Sequence, residues 1–387
     1  MKRLIALCLA ALLLPPLLPA VSAAEGPTPP AEAGAPALSC ASALLMEKET
    51  GAVLLEQDPH KILEPASITK IMTLLLIMEA LDSQSLTLDE PVTVSAYAAG
   101  MGGSQVYLKE GEQLPVDQLL KCVTVVSGND CAVALAEHLA GSEAAFAARM
   151  NLRARELGME HTNFVNCTGL PAPGHQTCAY DVALMSRELI LHHPDIRQYT
   201  TIWTDSIRNG AFGLTNTNRL IRFYPGATGL KTGSTASAGF CVSATAQREE
   251  MELIAVVMNA PTSAQRWADA KALLDYGFAS YALAQVYPDP PAAPIPVRLG
   301  VTPQVQPVPA RECRLLVRRE EAGQISTRLT LPEELTAPIA QGQTLGQLEI
   351  YVDDELRDTV PMLAAQPVEK KTVPALFLSL LRQLVSA

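Results

Sequence analysis

The run Ile71-Met72-Thr73-Leu74-Leu75-Leu76-Ile77-Met78, continuing to Leu81, is apolar on nearly every side. A helix of that kind is a buried one, so the rest of the chain has to be packed about it. Pro65-Ala66-Ser67-Ile68-Thr69-Lys70 opens the run. Pro65 suits the first turn of a helix, where a missing N–H costs nothing. On a helix, Ser67 and Lys70 lie one turn apart on the same face. A lysine held in low dielectric has its charged form disfavoured and can act as a base. A serine beside such a base, at a helix N-terminus, is an activated nucleophile. Alone, the pattern is equally a capping serine with a snorkelling lysine, so other motifs must decide.

The organisation of the chain narrows the choice. Met1 to Ala24 reads as a secretory signal peptide: Lys2 and Arg3 start it, Leu4 to Leu18 is its apolar stretch, and Val21-Ser22-Ala23 offers small residues for cleavage. An exported protein is therefore expected. Residues 25–38, rich in Pro, Ala and Gly, read as a disordered spacer. Removing Lys2 and Arg3 with the leader lowers the 29 basic residues to 27 against 40 acidic ones, a formal charge of −13. Such a surface repels phosphate backbones and argues against nucleic acid as a partner.

Residues 39–287 carry the main domain. Ala43–Met46 and Val53–Leu55 flank a turn signal and predict a hairpin. The buried helix follows, then extended pieces at Val92–Val94 and Gln105–Leu108. Helices are expected from Pro115 to Val126, Asp130 to Ala140, Ser142 to Leu157 and, with Thr177 as its cap, on to His192. Strand-like runs return at Arg219–Phe223, Leu230–Thr232, Phe240–Ala246 and Leu253–Met258, before a helix over Gln265–Tyr281. The expected fold class is α/β (α+β): one sheet built from both ends of the domain, with a helical block packed on it. Residues 288–296 form a Pro/Ala linker, and 297–366 hold short strands that predict a small β domain. Residues 367–387 form a tail in which Leu376, Phe377, Leu380, Leu381 and Leu384 share one helical face, an amphipathic helix suited to a membrane surface.

Past the leader the cysteines are Cys40, Cys122, Cys131, Cys167, Cys178, Cys241 and Cys313. None falls into a Cys-x-x-Cys pattern, which argues against a zinc or redox site and leaves the chain without an expected metal or cofactor. Their odd number and apolar neighbours predict at most one disulfide, Cys167–Cys178, with the others reduced. The histidines, His60, His138, His161, His175, His192 and His193, show no His-Glu-x-x-His pattern, and each reads as a surface or helix residue. No Gly-x-Ser-x-Gly elbow occurs either.

Two further motifs lift Ser67-x-x-Lys70 above chance. Ser127-Gly128-Asn129 interrupts two helices and so presents a hydroxyl and an amide from a loop. Lys231-Thr232-Gly233 lies on a strand-like run, followed by Ser234 and Thr235. Ser-x-x-Lys, Ser-x-Asn and Lys-Thr-Gly in this order are the joint signature of penicillin-binding proteins and class A β-lactamases. The chain resembles the low-molecular-mass D-alanyl-D-alanine carboxypeptidases over roughly Ser42 to Tyr281, extending to the small β domain and the tail. Asn166-Cys167-Thr168-Gly169-Leu170, Tyr180-Asp181-Val182-Ala183-Leu184 and Gly229-Leu230 before Lys231 carry the resemblance further. It departs mildly at Cys131 and Cys167.

Acyl transfer needs a nucleophile, a base, an oxyanion hole and groups that hold the substrate. Ser67 supplies the nucleophile, and Lys70 takes its proton. Ser127 relays a proton to the leaving amine. Asn129 bonds the substrate's peptide carbonyl, while Lys231 and Thr232, with Gly233 and Ser234 on the same run, line the place of its terminal carboxylate. The resemblance implies that the backbone N–H groups of Ser67 and Ser234 form the oxyanion hole. Arg266 is a candidate second partner for the carboxylate, the alternative being a surface ion pair with Asp269 or Glu249.

The resemblance implies removal of the terminal D-alanine from a peptidoglycan stem pentapeptide, acylation by β-lactam antibiotics, and work at the outer face of the cytoplasmic membrane. Two alternatives stand beside it. A class A β-lactamase would deacylate with a Glu-x-x-x-Asn loop, and none lies between Ser127 and Lys231. A penicillin or peptidoglycan sensor would bind without turnover.

Overall fold

A computed structural model describes residues 34–377 of the chain. The expected signal peptide, most of the spacer and the tail positions Leu380, Leu381 and Leu384 lie outside the described residues.

The hairpin forms as β1 (Ser42–Glu47) and β2 (Val53–Gln57). The apolar run is helix α1 (Lys70–Asp82), entered through a 3-10 turn at Ala66–Thr69. Helices α2 (Val116–Val125), α3 (Asn129–Ala140), α4 (Glu143–Glu156) and α5 (Ala179–His192) follow. Strands β3 (Ala227–Thr235), β4 (Gly239–Arg248) and β5 (Met251–Ala260) and helix α6 (Ser263–Ser280) close the block. The sheet has the order β2-β1-β5-β4-β3, antiparallel throughout, so the first hairpin pairs with the last strands, as expected of a sheet built from both ends.

The period of two along β1 and β5 assigns each side chain to a face. Leu44, Met46, Ile254, Val256 and Met258 face a core shared with Ile71, Met72, Leu74, Leu75 and Ile77 of α1. Ala43, Leu45, Leu253, Ala255 and Val257 face a second core, closed by Leu273, Leu274 and Phe278 of α6. Both faces of β5 are covered, which is why its sequence runs apolar instead of alternating. The apolar helix α1 lies in the middle of the larger core.

Four local expectations are corrected. Gln105–Leu108 is not a strand; Asp130 Oδ2 accepts from Val106 N–H and Leu108 N–H, and Tyr107 between them turns the backbone at φ +58°. Arg219–Phe223 contains a helical turn over Leu220–Phe223, because Asn218 Oδ1 accepts from Leu220 N–H and starts the chain turning. The cap of α5 is Cys178, whose sulfur accepts from Asp181 N–H, and not Thr177. Cys167 and Cys178 are not joined: the Cys167 thiol donates to Glu143 Oε1, and all seven cysteines among the described residues are free and buried.

Beyond α6 the chain continues as β6 (Tyr281–Gln285), which pairs with β7 (Arg314–Arg318). Strands β8 (Ile325–Thr330), β9 (Thr344–Val352) and β10 (Glu355–Ala364) form an antiparallel sheet with a short edge at Pro307–Pro309, over a core of Leu348, Ile350, Val360 and Met362. The last described residues, 373–377, begin a helix. No helix among the described residues is long and apolar enough to cross a membrane.

Candidate active site

Ala66 has φ +46°, a left-handed conformation uncommon for a residue with a Cβ. It throws Ser67 into the 3-10 turn that leads into α1, so that Ser67 is half-buried while Lys70 is wholly buried. Lys70 Nζ has three neighbours: Ser67 Oγ at 3.1 Å, Asn129 Oδ1 at 2.6 Å and the Thr168 carbonyl oxygen at 2.7 Å. The last two can only accept. A neutral amine has two N–H bonds and one lone pair, so those acceptors use its hydrogens and leave the lone pair for the Ser67 hydroxyl. Burial pushes the Lys70 pKa down to about 7, against smaller raising effects of Cys167, Asp130, Cys131 and Glu143. The amine is thus available as a base near neutral pH.

The Thr168 carbonyl is set by its own loop. Asn166 Oδ1 accepts from Thr168 N–H, Thr168 Oγ1 and Gly169 N–H, folding the backbone into a tight turn. Gly169 has φ +82°, and a Cβ there would lie 1.8 Å from the Ala66 carbonyl oxygen, so only glycine fits against the serine turn.

Between α2 and α3, Ser127 takes φ +63° and breaks the helical path. Its Oγ is buried and has no hydrogen-bond partner among the described residues. Asn129 is also buried; its amide donates to the Gly102 carbonyl while its Oδ1 faces Lys70. That fixes which atom of the amide points each way.

The third motif lies on edge strand β3. Lys231 is fully buried, and its Nζ donates to the Thr232 carbonyl at 3.1 Å. Burial holds its pKa well below the usual lysine range, with Lys70 and Arg266 adding repulsion. Thr232 Oγ1 donates to Thr217 Oγ1. Gly233 brings the strand against the serine turn: a Cβ would lie 2.9 Å from Ser67 N and 3.0 Å from Ile68 N. Ser234 follows and is exposed. Arg266 makes neither of the surface ion pairs considered. It is buried, lies over the Trp267 ring at 4.1 Å, and donates to the Cys241 carbonyl and Ser263 Oγ. Its Nε has no partner among the described residues, and Cys241 pairs with Gly233 across the ladder. Burial lowers its pKa to about 10.

Lys70 bonds both Ser67 and Asn129, Gly233 brings the strand of Lys231, Thr232 and Ser234 against the serine turn, Arg266 lies beside that strand, and Ser127 stands two residues before Asn129. Sequence reading missed the parts that hold them. His175 is buried; its Nδ1 accepts from Val165 N–H, so the proton sits on Nε2 and is donated to Thr69 Oγ1 at 2.8 Å. Nothing in the spacing of residues 69, 165 and 175 signals that contact.

The sequence profile described as D-alanyl-D-alanine carboxypeptidase matches residues 30–262. The chain belongs to that family. It is thus a serine-type peptidase of the low-molecular-mass penicillin-binding class. A second profile, the C-terminal domain of penicillin-binding protein 5, matches residues 289–370 of the enzyme. The D-alanyl-D-alanine carboxypeptidase DacF of Bacillus subtilis is 39% identical over 334 residues, 85% of this chain and 86% of that one. DacC of Escherichia coli is 32% identical over 345 residues, 87% and 86% of the two chains. Penicillin-binding protein 5 of Haemophilus influenzae matches in structure with a TM-score of 0.73 at 27% identity, covering 87% of this chain and 99% of its own. Penicillin-binding protein D2 of Listeria monocytogenes, solved in an ampicillin-bound form, matches with a TM-score of 0.58 at 33% identity over 62% of this chain and 98% of its own.

Proposed function

We propose that the enzyme removes the terminal D-alanine from peptidoglycan stem pentapeptides through an ester on Ser67. The observation that carries this is the environment of Lys70: a buried amine with pKa about 7, within 3.1 Å of Ser67 Oγ, whose contacts to Asn129 Oδ1 and the Thr168 carbonyl leave the neutral form its lone pair for the Ser67 hydroxyl. Lys70 takes the hydroxyl proton as Ser67 Oγ bonds to the carbonyl carbon of the penultimate D-alanine. The oxyanion forms against the N–H groups of Ser67 and Ser234. The C–N bond then breaks, and Ser127 relays to the departing amine the proton that Lys70 had taken, so both return to their starting state. Water hydrolyses the ester. Lys231, Thr232 and Arg266 receive the terminal carboxylate, and Asn129 bonds the peptide carbonyl.

β-Lactams, whose ring carbonyl and carboxylate mimic the dipeptide, acylate the same serine; the ampicillin-bound Listeria relative supports this. We take residues 39–287 as the catalytic unit and 297–366 as a spacer. The leader exports the chain, and the tail lies on the outer face of the cytoplasmic membrane. The start of a helix at 373–377, with Val373 83% and Phe377 63% exposed, supports the last point.

D-Alanine release from a D-Ala-D-Ala-ended pentapeptide tests the reading. The intact enzyme should release it, and Ser67→Ala should neither release it nor be labelled by penicillin. A penicilloyl adduct that clears within seconds, with penicillin consumed catalytically, would instead make this a β-lactamase.

A further inference from the structure

Away from the serine, three donor side chains of distant sequence position meet at one place. The ligand atoms of His60, His161 and Cys178 all lie within 4.8 Å of one another. His60 is exposed at the end of the first hairpin, His161 is half-buried in the loop after α4, and Cys178 is buried at the start of α5. The two imidazole rings are 5.2 Å apart and tilted by 40°, and the Tyr180 ring lies 5.0 Å from that of His60, tilted by 45°.

The backbones that bear them are laced together. Leu63 and Thr177 exchange both hydrogen bonds of a bridge, Asn163 and Gln176 exchange another, and Tyr180 N–H donates to the Pro59 carbonyl. Asp181 Oδ2 accepts from His161 N–H and from Thr162 Oγ1. The Cys178 sulfur accepts from Asp181 N–H at the start of α5, while burial pushes its thiol up to about 12, so a cation bound there must displace the thiol proton.

We propose that His60, His161 and Cys178 bind a zinc-class divalent d-block cation. Two imidazoles and a thiolate are the donor set such ions prefer, and hard cations such as magnesium and calcium do not. Tetrahedral zinc with bonds near 2.0–2.3 Å needs donors about 3.3–3.8 Å apart, so within a group spanning up to 4.8 Å binding calls for a small side-chain adjustment. The fourth position is left to solvent. A second group, Glu79, Glu188 and His193, also clusters, but Arg153 donates to both glutamates and already supplies the positive charge there. The thiol–imidazole group has no Arg or Lys partner among the described residues. No sequence motif marks it because its donors come from three separate elements.

Untagged, reduced enzyme titrated with Co2+ should develop a near-ultraviolet thiolate-to-cobalt absorption at one equivalent, and Zn2+ should displace it. Cys178→Ser should abolish the band. His60→Ala, at an exposed position, keeps the test independent of folding and should weaken Co2+ and Zn2+ affinity at least about ten-fold, the effect that losing even an outer-shell partner brings. Zn2+ should raise the melting temperature of the intact enzyme and not that of a His60→Ala/His161→Ala double variant. Absence of the band, its survival in Cys178→Ser, or unchanged affinity in His60→Ala would each overturn the assignment.

Discussion

Lys70 Nζ donates to Asn129 Oδ1 across 2.6 Å, the shortest of its three contacts. That bond joins the first motif to the second and makes the amide, not a carboxylate, the neighbour of the base. A neutral acceptor holds the amine in place while stabilising its protonated form less than a carboxylate would, so burial prevails and keeps the pKa near 7.

The acid limb of the enzyme should therefore report Lys70. Because the folded pKa is lowered, the amine is free above about 7 and increasingly protonated below it. Acylation by a fluorescent penicillin, followed against pH, should fall about tenfold per unit below an apparent pKa near 7. A rate independent of pH from 5 to 9 would remove Lys70 from the role of base.

Asn129→Asp should move that limb. A carboxylate at the same distance favours the ammonium form and should raise the apparent pKa by roughly one to three units, so activity at pH 7 falls and partly returns at pH 9. Loss of activity equal at every pH would mean that the amide acts only through the substrate.

Gly233→Ala tests the closeness of β3 to the serine turn. The added Cβ lies 2.9 Å from Ser67 N, between backbone atoms that cannot rotate away. Displacing the turn should lower kcat/KM at least ~10²-fold, the cost of an ångström of misplacement. Retained activity in a folded variant would show that the strand yields freely.

Much of this was legible in the residues themselves. The all-round apolar character of Ile71–Leu81 placed α1 inside the core, and the continuous apolar run Leu253–Met258 marked a strand covered on both faces. The three sequence motifs lay on the expected turn, loop and strand. What spacing could not carry were contacts between distant segments: His175 with Thr69, Asp130 with Val106 and Leu108, and the grouping of His60, His161 and Cys178. Arg219–Phe223 misled because an Asx turn at Asn218 overrides the alternating pattern that follows. The Cys167–Cys178 pairing does not form: both thiols are free, Cys167 donating to Glu143 and Cys178 accepting from Asp181 N–H.

His175 should leave a mark on stability. Burial lowers its pKa from 6.5 to about 4, so the native state holds it neutral where the unfolded chain would protonate it. The contribution is complete above pH 6.5 and is lost as pH falls toward 4, by up to about 3 kcal/mol. Urea denaturation between pH 7 and 4 should show a shallower pH dependence for His175→Gln than for the intact protein. Equal slopes would assign the acid sensitivity to other groups.

Arg266 offers the sharpest test of substrate recognition. It is buried, its Nε is without a partner among the described residues, and neither it nor Lys231 makes an ion pair there. A guanidinium kept charged in low dielectric raises the cost of the free enzyme, a cost that an arriving carboxylate offsets. A charge-assisted bond of this kind contributes about 1.5–3 kcal/mol, so Arg266→Ala should lower kcat/KM for a D-Ala-D-Ala peptide roughly ten- to hundred-fold. The same peptide ending in a carboxamide lacks the charge and should react slowly, but nearly equally, with both enzymes. The ratio of the two substrates cancels any general damage from lost packing on Trp267. If Arg266→Ala slows both substrates by the same factor, the guanidinium is a structural cation stacked on an aromatic ring, and the carboxylate belongs to Lys231 and Thr232 alone.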